Sequence, residues 1–237
     1  MRGTVLAATV MLAAGGSALA QPRAVIELFT SQGCSSCPPA DHMMGKWSQD
    51  PSLIALSLPV DYWDYLGWKD TLARHDFSVR QRAYSQARGD RAVYTPQVVV
   101  DGVLHAVGSN DDEVNRAIET AGSQADILTV PVSITGAGNG YTVSLGKSTA
   151  TGEVWIVPVE RSAQVVIERG ENTGKTVTYT NVVRAFRKLA DYDGSAATLT
   201  LKPADFSAPG ADSFAVLVQA DKQGKPGAVL GAAMQRE

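Results

Sequence analysis

Two cysteines, Cys34 and Cys37, constrain this chain more than any other feature, because they are the only cysteines in its 237 residues. Just before them, residues 24–29 form an apolar run of the length and composition of a buried strand. A short polar turn that contains a glycine follows this run. Pro38-Pro39, directly after the second cysteine, predicts the start of a helix, since a proline in the first helical turn loses no hydrogen bond. The predicted order is therefore strand, turn, Cys-x-x-Cys and helix.

The first twenty residues have the pattern of a secretory signal peptide. Arg2 gives a short positive start, residues 5–14 are apolar, and Ala18-Leu19-Ala20 fits a small-x-small cleavage site. The alternative is a retained membrane anchor, but the apolar run is shorter than the roughly 20 residues that span a bilayer. We therefore predict a signal peptide over residues 1–20 and a soluble mature protein, periplasmic or secreted, with no membrane span after cleavage.

The overall composition is that of an ordinary globular protein. The hydrophobic fraction is 44%, the charged fraction is 19% and the formal net charge is −3. A chain of this length can form one large domain or two modest ones with a substantial core. No basic patch stands out that would attract phosphates, so the sequence predicts no nucleic-acid partner.

The predicted export changes the interpretation of the cysteine pair. In an oxidising compartment the pair can form a disulfide, but the loop it closes is too short to restrict the unfolded chain much. The spacing favours a reactive pair instead. Unpaired N–H groups and the positive end of the helix are expected to stabilise the Cys34 thiolate, which makes it the nucleophile. Cys37, one turn along, is expected to sit deeper and to act as the resolving thiol.

A proline further along the chain gives the first resemblance to a known superfamily. The segment around it reads Tyr94-Thr95-Pro96-Gln97-Val98-Val99-Val100-Asp101-Gly102. It resembles the thioredoxin superfamily, in which a proline, usually with a cis peptide bond, lies opposite the cysteine pair and starts a strand. The resemblance implies a cis bond between Thr95 and Pro96 and a main chain at Thr95 that can pair with an extended substrate. The alternative is a trans proline that opens an ordinary strand.

Three further segments are similar to the DUF1223 family, a group of exported bacterial proteins of unknown function with a thioredoxin-like core. They are residues 27–34, residues 60–68 and residues 94–97, and the likeness extends to Asn181-Val182-Val183-Arg184. The family implies the fold and the export, but it supplies no substrate.

The pattern of predicted secondary structure changes near the middle of the chain. Up to about residue 121 the predicted order is β-α-β-α-β-β-α, and from residue 127 short β-like runs dominate. We place a domain boundary at residues 123–126. The predicted fold is an α/β thioredoxin-like domain, residues 21–125, followed by a β-rich, sandwich-like domain, residues 126–237.

Glu27 is the candidate proton carrier that the resemblance implies. In thioredoxins a buried acid on the strand before the Cys-x-x-Cys pair relays a proton to the inner cysteine, and a raised pKa suits that task. Glu27 lies seven positions before Cys34, whereas the acid of the better-known relatives lies six positions before. The alternative is a glutamate at a strand edge that contacts solvent or an arginine.

Metal binding is an alternative use of the same cysteines. A zinc site needs four ligands, and the chain has no second Cys-x-x-Cys. A copper-binding or copper-handling protein would combine the two cysteines with a histidine, either His42, five positions after Cys37, or His105. An exposed helical histidine is the simpler interpretation of His42, because its spacing fits no defined metal motif. The sequence therefore predicts no metal site and no cofactor.

Two other segments receive structural interpretations. Residues 170–176 resemble a phosphate loop, but they have one residue too few between the glycines and lack the βαβ context, so a β-turn is predicted. The aromatic loop, residues 61–68, is either a substrate platform or a packing element, and packing against the β domain is favoured.

The sequence thus predicts an exported thiol–disulfide oxidoreductase that acts on protein disulfides through its cysteine pair. Its expected partners are exported protein thiols or disulfides and an unidentified redox partner. The alternatives are the copper-handling protein and a non-catalytic interaction module with a stable disulfide. A low reduction potential of the cysteine pair would distinguish the interaction module from the oxidoreductase.

Overall fold

The computed structural model describes residues 21–138 and 140–236, so the predicted signal peptide lies outside the described residues. The first half follows the predicted order of elements, with a single turn of 3-10 helix at Asp64–Leu66 added in the aromatic loop. Its elements are β1 (Ala24–Thr30), α1 (Pro38–Trp47), β2 (Leu53–Pro59), α2 (His75–Arg88), β3 (Gln97–Val100), β4 (Leu104–Val107) and α3 (Asp111–Gly122).

The second half consists almost entirely of strands. The elements are β5 (Val132–Ala137), β6 (Gly140–Leu145), β7 (Gly152–Val166), β8 (Thr176–Val183), β9 (Arg187–Tyr192), β10 (Ala197–Leu201), α4 (Pro203–Phe206), β11 (Ser213–Asp221) and β12 (Pro226–Met234).

One long sheet runs through both halves of the chain. Its strand order is β12-β11-β7-β8-β2-β1-β3-β4, with β9 paired to β7, and a separate three-stranded sheet has the order β10-β6-β5. The halves join at β2 and β8, which pair in parallel at Ser57 and Val182. The Ser57 hydroxyl donates to the Thr180 carbonyl oxygen at 2.7 Å, and the Asn181 amide donates to the Ala55 carbonyl oxygen at 2.9 Å. The strands of the second half therefore extend the sheet of the first.

Strand β1 lies inside this sheet and contributes to two different cores. It pairs in parallel with β2 and antiparallel with β3, and all seven of its residues are buried. Because side chains alternate along a strand, Val25 and Phe29 pack on the side of α2, whereas Ile26 and Leu28 pack against α1 and α3. The core on the α2 side also contains second-half residues such as Val157, so the two halves share it.

Within the described residues, no helix is long and apolar enough to cross a membrane.

Candidate functional site

Cys34 and Cys37 form a disulfide in the loop between β1 and α1. The loop makes two successive turns: the Cys34 N–H donates to the Ser31 carbonyl oxygen at 3.1 Å, and the Cys37 N–H donates to the Cys34 carbonyl oxygen at 3.2 Å. Helix α1 begins at Pro38 with Cys37 as its N-cap. The expected position of Cys34 at the helix tip is therefore wrong, because Cys34 lies three residues before the N-cap.

The main-chain donors expected from the helix start are also missing. Pro38 and Pro39 have no N–H, and the N–H groups of Ala40 and Asp41 both donate to the Cys37 carbonyl oxygen, at 2.9 and 3.1 Å. The first turn of α1 therefore offers no unpaired N–H to the Cys34 sulfur.

Both cysteines are buried, but not equally. Cys34 retains 2% of its surface and Cys37 retains none, whereas Ser35 and Ser36 between them are exposed. The Ser36 hydroxyl lies 3.4 Å from the Cys34 sulfur, where it can donate a hydrogen bond to a thiolate. Of the two cysteines, Cys34 is the less completely buried.

A buried acid that the sequence analysis overlooked lies one helical turn after Cys37. This residue is Asp41, which is only 2% exposed. The Thr30 hydroxyl donates to its Oδ1 at 2.7 Å, and its buried Oδ2 has no hydrogen-bond partner among the described residues. Burial raises the pKa of the Asp41 carboxyl to about 8, against the lowering effect of the Thr30 hydrogen bond. The signal in the sequence was an acid four positions after Cys37, on a helix face that is otherwise apolar.

The structure does not bring Glu27 to the cysteines. Strand alternation places Glu27 with Val25 and Phe29, on the face opposite α1. Its carboxylate accepts hydrogen bonds from Arg80 Nε at 2.6 Å and from the Tyr84 hydroxyl at 2.5 Å. The arginine contact that was left open as an alternative therefore accounts for its burial.

The structure places Thr95 and Pro96 near the first turn of α1. The peptide bond between them is cis, as predicted. A Cβ atom added at Gly108 would lie 3.3 Å from the Ala40 side chain and 3.4 Å from the Pro96 side chain, so Pro96 faces the first turn of α1. The N–H and carbonyl groups of Thr95 have no hydrogen-bond partner among the described residues.

Trp63 links the Thr95 loop to the cysteine loop. Its indole N–H donates to the Thr95 hydroxyl at 2.8 Å, and its Cβ would lie 3.0 Å from a Cβ atom added at Gly33. Tyr65 stacks on Trp63 with a centroid separation of 6.4 Å and remains 77% exposed. Part of the aromatic loop therefore packs on the cysteine loop, and Tyr65 presents its ring to solvent beside it.

Gln32, two residues before Cys34, is held by Trp68 of the aromatic loop and by Asp70, which follows that loop. The Trp68 indole N–H donates to Gln32 Oε1 at 2.7 Å, and the Gln32 N–H donates to Asp70 Oδ2 at 2.8 Å. Burial raises the pKa of Asp70 to about 6, although three main-chain N–H groups oppose the shift. These contacts fix the main chain that leads into the disulfide.

The turn between β7 and β8 also holds the cysteine loop. The side-chain amide of Asn172, which is 1% exposed, donates to the Gln32 carbonyl oxygen at 2.9 Å and to the Cys34 carbonyl oxygen at 2.8 Å. Lys175 Nζ donates to Asn172 Oδ1 at 2.8 Å. No local sequence pattern links residue 172 to the cysteines, so sequence reasoning missed this contact.

The candidate metal ligands lie apart from one another. His42 is exposed on α1, whereas His105 Nδ1 lies 2.9 Å from the Tyr94 hydroxyl and His105 Nε2 lies 3.3 Å from Asp90. In the part of the chain that the structure describes, no three His, Cys, Asp or Glu residues are grouped closely enough to hold a metal ion.

Fold and site together define a mixed α/β protein with a buried disulfide at the start of its first helix. The chain belongs to the DUF1223 family, whose description is "protein of unknown function", and the family model matches residues 25–219. The predicted family membership is thus confirmed. No curated protein matches the chain.

Two solved structures are similar to this chain. A crystal structure of a protein from Agrobacterium tumefaciens has 32% sequence identity and a TM-score of 0.81, and the similarity covers 92% of this chain and 98% of that one. HBP35 of Porphyromonas gingivalis has 12% identity and a TM-score of 0.55, over 91% of this chain and 75% of that one. At this lower identity the likeness concerns the fold alone.

Proposed function

We propose that this protein is an exported thiol–disulfide oxidoreductase that acts on protein disulfides through Cys34 and Cys37. The observation that carries the proposal is the buried carboxyl of Asp41, which lies one helical turn after Cys37 and has one oxygen without a hydrogen-bond partner among the described residues. A carboxyl with a pKa near 8 can give or take a proton at neutral pH, and a disulfide that only stabilises a fold needs no such group.

The exchange begins with a substrate thiolate that attacks the Cys34 sulfur. A bond forms between these two sulfur atoms, the Cys34–Cys37 bond breaks, and Cys37 leaves as a thiolate. Cys37 then takes the proton of Asp41. A second substrate thiolate attacks the substrate sulfur of the mixed disulfide and releases Cys34. The substrate loses two electrons and gains a disulfide, while the cysteine pair gains two electrons.

The same steps in reverse reduce a substrate disulfide. In that direction Cys37 resolves the mixed disulfide on Cys34, and Asp41 accepts the proton that Cys37 loses. In either direction another exported thiol or disulfide protein must return the pair to its starting state.

Substrate binding is proposed at Thr95. Its N–H and carbonyl groups have no partner among residues 21–138 and 140–236, and they suit an extended polypeptide, which can pair with them as an added strand pairs with a sheet edge. A thioredoxin-like unit over residues 21–125 is part of the proposal, and the cis Thr95–Pro96 bond and the parallel pairing of β1 with β2 support it. A β-rich unit over residues 126–237 would complete the fold. A periplasmic or secreted location is proposed from the signal pattern.

Trapping of the mixed disulfide tests this function. Cys37→Ala removes the resolving thiol, so the variant should accumulate a covalent complex with a peptide that carries one intramolecular disulfide. Cys34→Ala is the matched control and should accumulate none, because Cys37 is fully buried. Equal trapping by the two variants would contradict the assigned roles, and no trapping by either would contradict exchange with protein disulfides.

A further inference from the structure

The first turn of α1 offers no unpaired main-chain N–H to the Cys34 sulfur. Two prolines open α1, and the next two N–H groups are taken by the Cys37 carbonyl oxygen. The polar side chain that reaches the sulfur is that of Ser36, which is uncharged. A further source of positive potential near Cys34 would therefore favour its thiolate.

The turn between β7 and β8 supplies that potential from the second half of the chain. The side-chain amide of Asn172 donates two hydrogen bonds to the cysteine loop, one to the Gln32 carbonyl oxygen and one to the Cys34 carbonyl oxygen. The amide oxygen in turn accepts from the Lys175 ammonium group. A cation is thus connected to the main chain of Cys34 through a single buried side chain.

This arrangement polarises the Asn172 amide in one direction. The ammonium group draws electron density towards the amide oxygen and strengthens the two N–H donors on the other side. Those donors offset the partial negative charge of the carbonyl oxygens that flank the cysteine loop. In a buried site the resulting potential is screened less than it would be in water.

The other charged groups that face this loop act in the opposite sense. Asp41 from α1 and Asp70 from the loop before α2 are both buried beside it, and each opposes a nearby thiolate once it is ionised. Glu171, next to Asn172, is exposed and therefore screened by solvent. Among the described residues, Lys175 is the cation whose hydrogen bond leads to the cysteine loop.

We infer that Asn172 and Lys175 form a positioning pair that holds the Cys34 main chain and stabilises the Cys34 thiolate. The inference rests on the proposed redox function and deepens it, because it makes the β-rich second half a working part of the redox site. Asn172 acts through the main chain and Lys175 acts through Asn172, so neither residue touches the reacting sulfur atoms.

The test compares Lys175→Gln with Lys147→Gln, a matched change of an exposed lysine in the loop after β6. Cys37→Ala serves as the background, and the rate of Cys34 alkylation by iodoacetamide is followed against pH. Lys175→Gln should raise the apparent thiol pKa by about 0.3 to 0.5 unit, a shift of the size that partly exposed charges produce. Lys175→Arg should restore the original value, and Lys147→Gln should leave it unchanged.

Asn172→Asp is the stronger change, because it keeps the shape of the side chain and replaces two donors with an acceptor. The apparent thiol pKa should rise by about one unit. With both cysteines present and at a pH above the thiol pKa, the equilibrium with glutathione should shift towards the disulfide by up to about tenfold. If this variant fails to fold, the exposed Lys175→Gln variant still decides the question.

A purely structural role predicts a different pattern. If Lys175→Gln and Asn172→Asp lower the melting temperature but leave the alkylation profile and the glutathione equilibrium unchanged, the inference is overturned. Both readouts use small reagents only. Failure of the trapping experiment with a protein disulfide would therefore leave this result intact, and the two failures can be told apart.

Discussion

The side-chain amide of Asn172 donates a hydrogen bond to the main-chain carbonyl of Cys34 at 2.8 Å, although the two residues are 138 positions apart in sequence. The contact joins the second half of the chain to the loop that carries the disulfide. Together with the pairing of β2 and β8, it makes the cysteine loop depend on strands far along the chain. The reactivity of the disulfide is therefore expected to respond to changes in both halves.

Replacement of Asp41 tests its role in proton transfer. Asp41→Asn should lower the rate of exchange with a substrate thiol at pH 7 by about 10- to 100-fold, because the amide cannot protonate the leaving Cys37 thiolate. Per substrate thiolate, the wild-type rate should fall as the pH rises through about 8, where Asp41 loses its proton, and the rate of the variant should not. Asp126→Asn, at an exposed site, is the control. Identical pH profiles for wild type and Asp41→Asn would refute the role.

The same residue makes the folding stability depend on pH. Because the pKa of Asp41 is raised in the folded state, the folded protein binds more protons than the unfolded chain between about pH 4 and pH 8. The contribution of Asp41 to the free energy of unfolding should therefore be fully present near pH 4 and should fall as the pH rises towards 8. Burial also raises the pKa of Asp101 to about 7 and that of Asp70 to about 6, and these groups add to the same slope.

Urea unfolding of the oxidised protein at several pH values measures this slope. Asp41→Asn should flatten it, most clearly between pH 6 and 8. In the variant, Asp101 still lowers the stability as the pH rises, and His105, whose pKa is lowered by burial, acts in the opposite direction. An Asp41→Asn variant with the same slope as wild type would show that the pKa of Asp41 is not raised in the folded state.

Replacement of Glu27 distinguishes two roles of this residue, a structural ion pair with Arg80 and a proton relay to the cysteines. Glu27→Gln should lower the free energy of unfolding by about 3 kcal/mol, because Arg80 is then left buried without its charged partner. The exchange rate of the folded variant should stay within about twofold of wild type. Glu153→Gln, which breaks an exposed pair with Lys188, should change stability by less than about 1 kcal/mol. A large loss of exchange rate without a loss of stability would restore Glu27 as the relay.

Trp63 is expected to act through Thr95. Trp63→Phe keeps an aromatic ring against Gly33 and removes the N–H that donates to the Thr95 hydroxyl, which should lower stability by about 1 kcal/mol. It should also lower kcat/KM for a disulfide peptide several-fold, because the Thr95 main chain is held less firmly. Trp47→Phe removes a comparable indole hydrogen bond, to Asp111, away from this loop and should leave kcat/KM unchanged. Equal kinetic effects of the two changes would contradict a specific role for Trp63.

Local patterns were enough to predict the elements around the disulfide. The apolar run before Cys34 and the two prolines after Cys37 each describe a few neighbouring residues, and the corresponding strand and helix are present. The cis bond at Pro96 followed from the family resemblance. These features depend on backbone preferences within short segments, which a single sequence carries directly.

Features that depend on distant contacts were not predicted. The extension of the sheet from β2 to β8 rests on one bridging pair, Ser57 with Val182. The contact of Asn172 with Cys34 depends on the position of a turn that is remote in sequence. The choice between Glu27 and Asp41 as the buried acid depends on which face of β1 packs against α1. A single sequence shows that a strand alternates, but not which of its faces meets the helix.

The reduction potential of the Cys34–Cys37 pair tests the central claim most directly. It is obtained from the fractions of disulfide and dithiol at equilibrium with known ratios of oxidised and reduced glutathione. A pair that exchanges disulfides with other exported proteins should titrate within the range that glutathione buffers reach, at a potential above about −300 mV. A pair that stays oxidised throughout, with a potential below about −300 mV, would contradict the account and identify a stable structural disulfide.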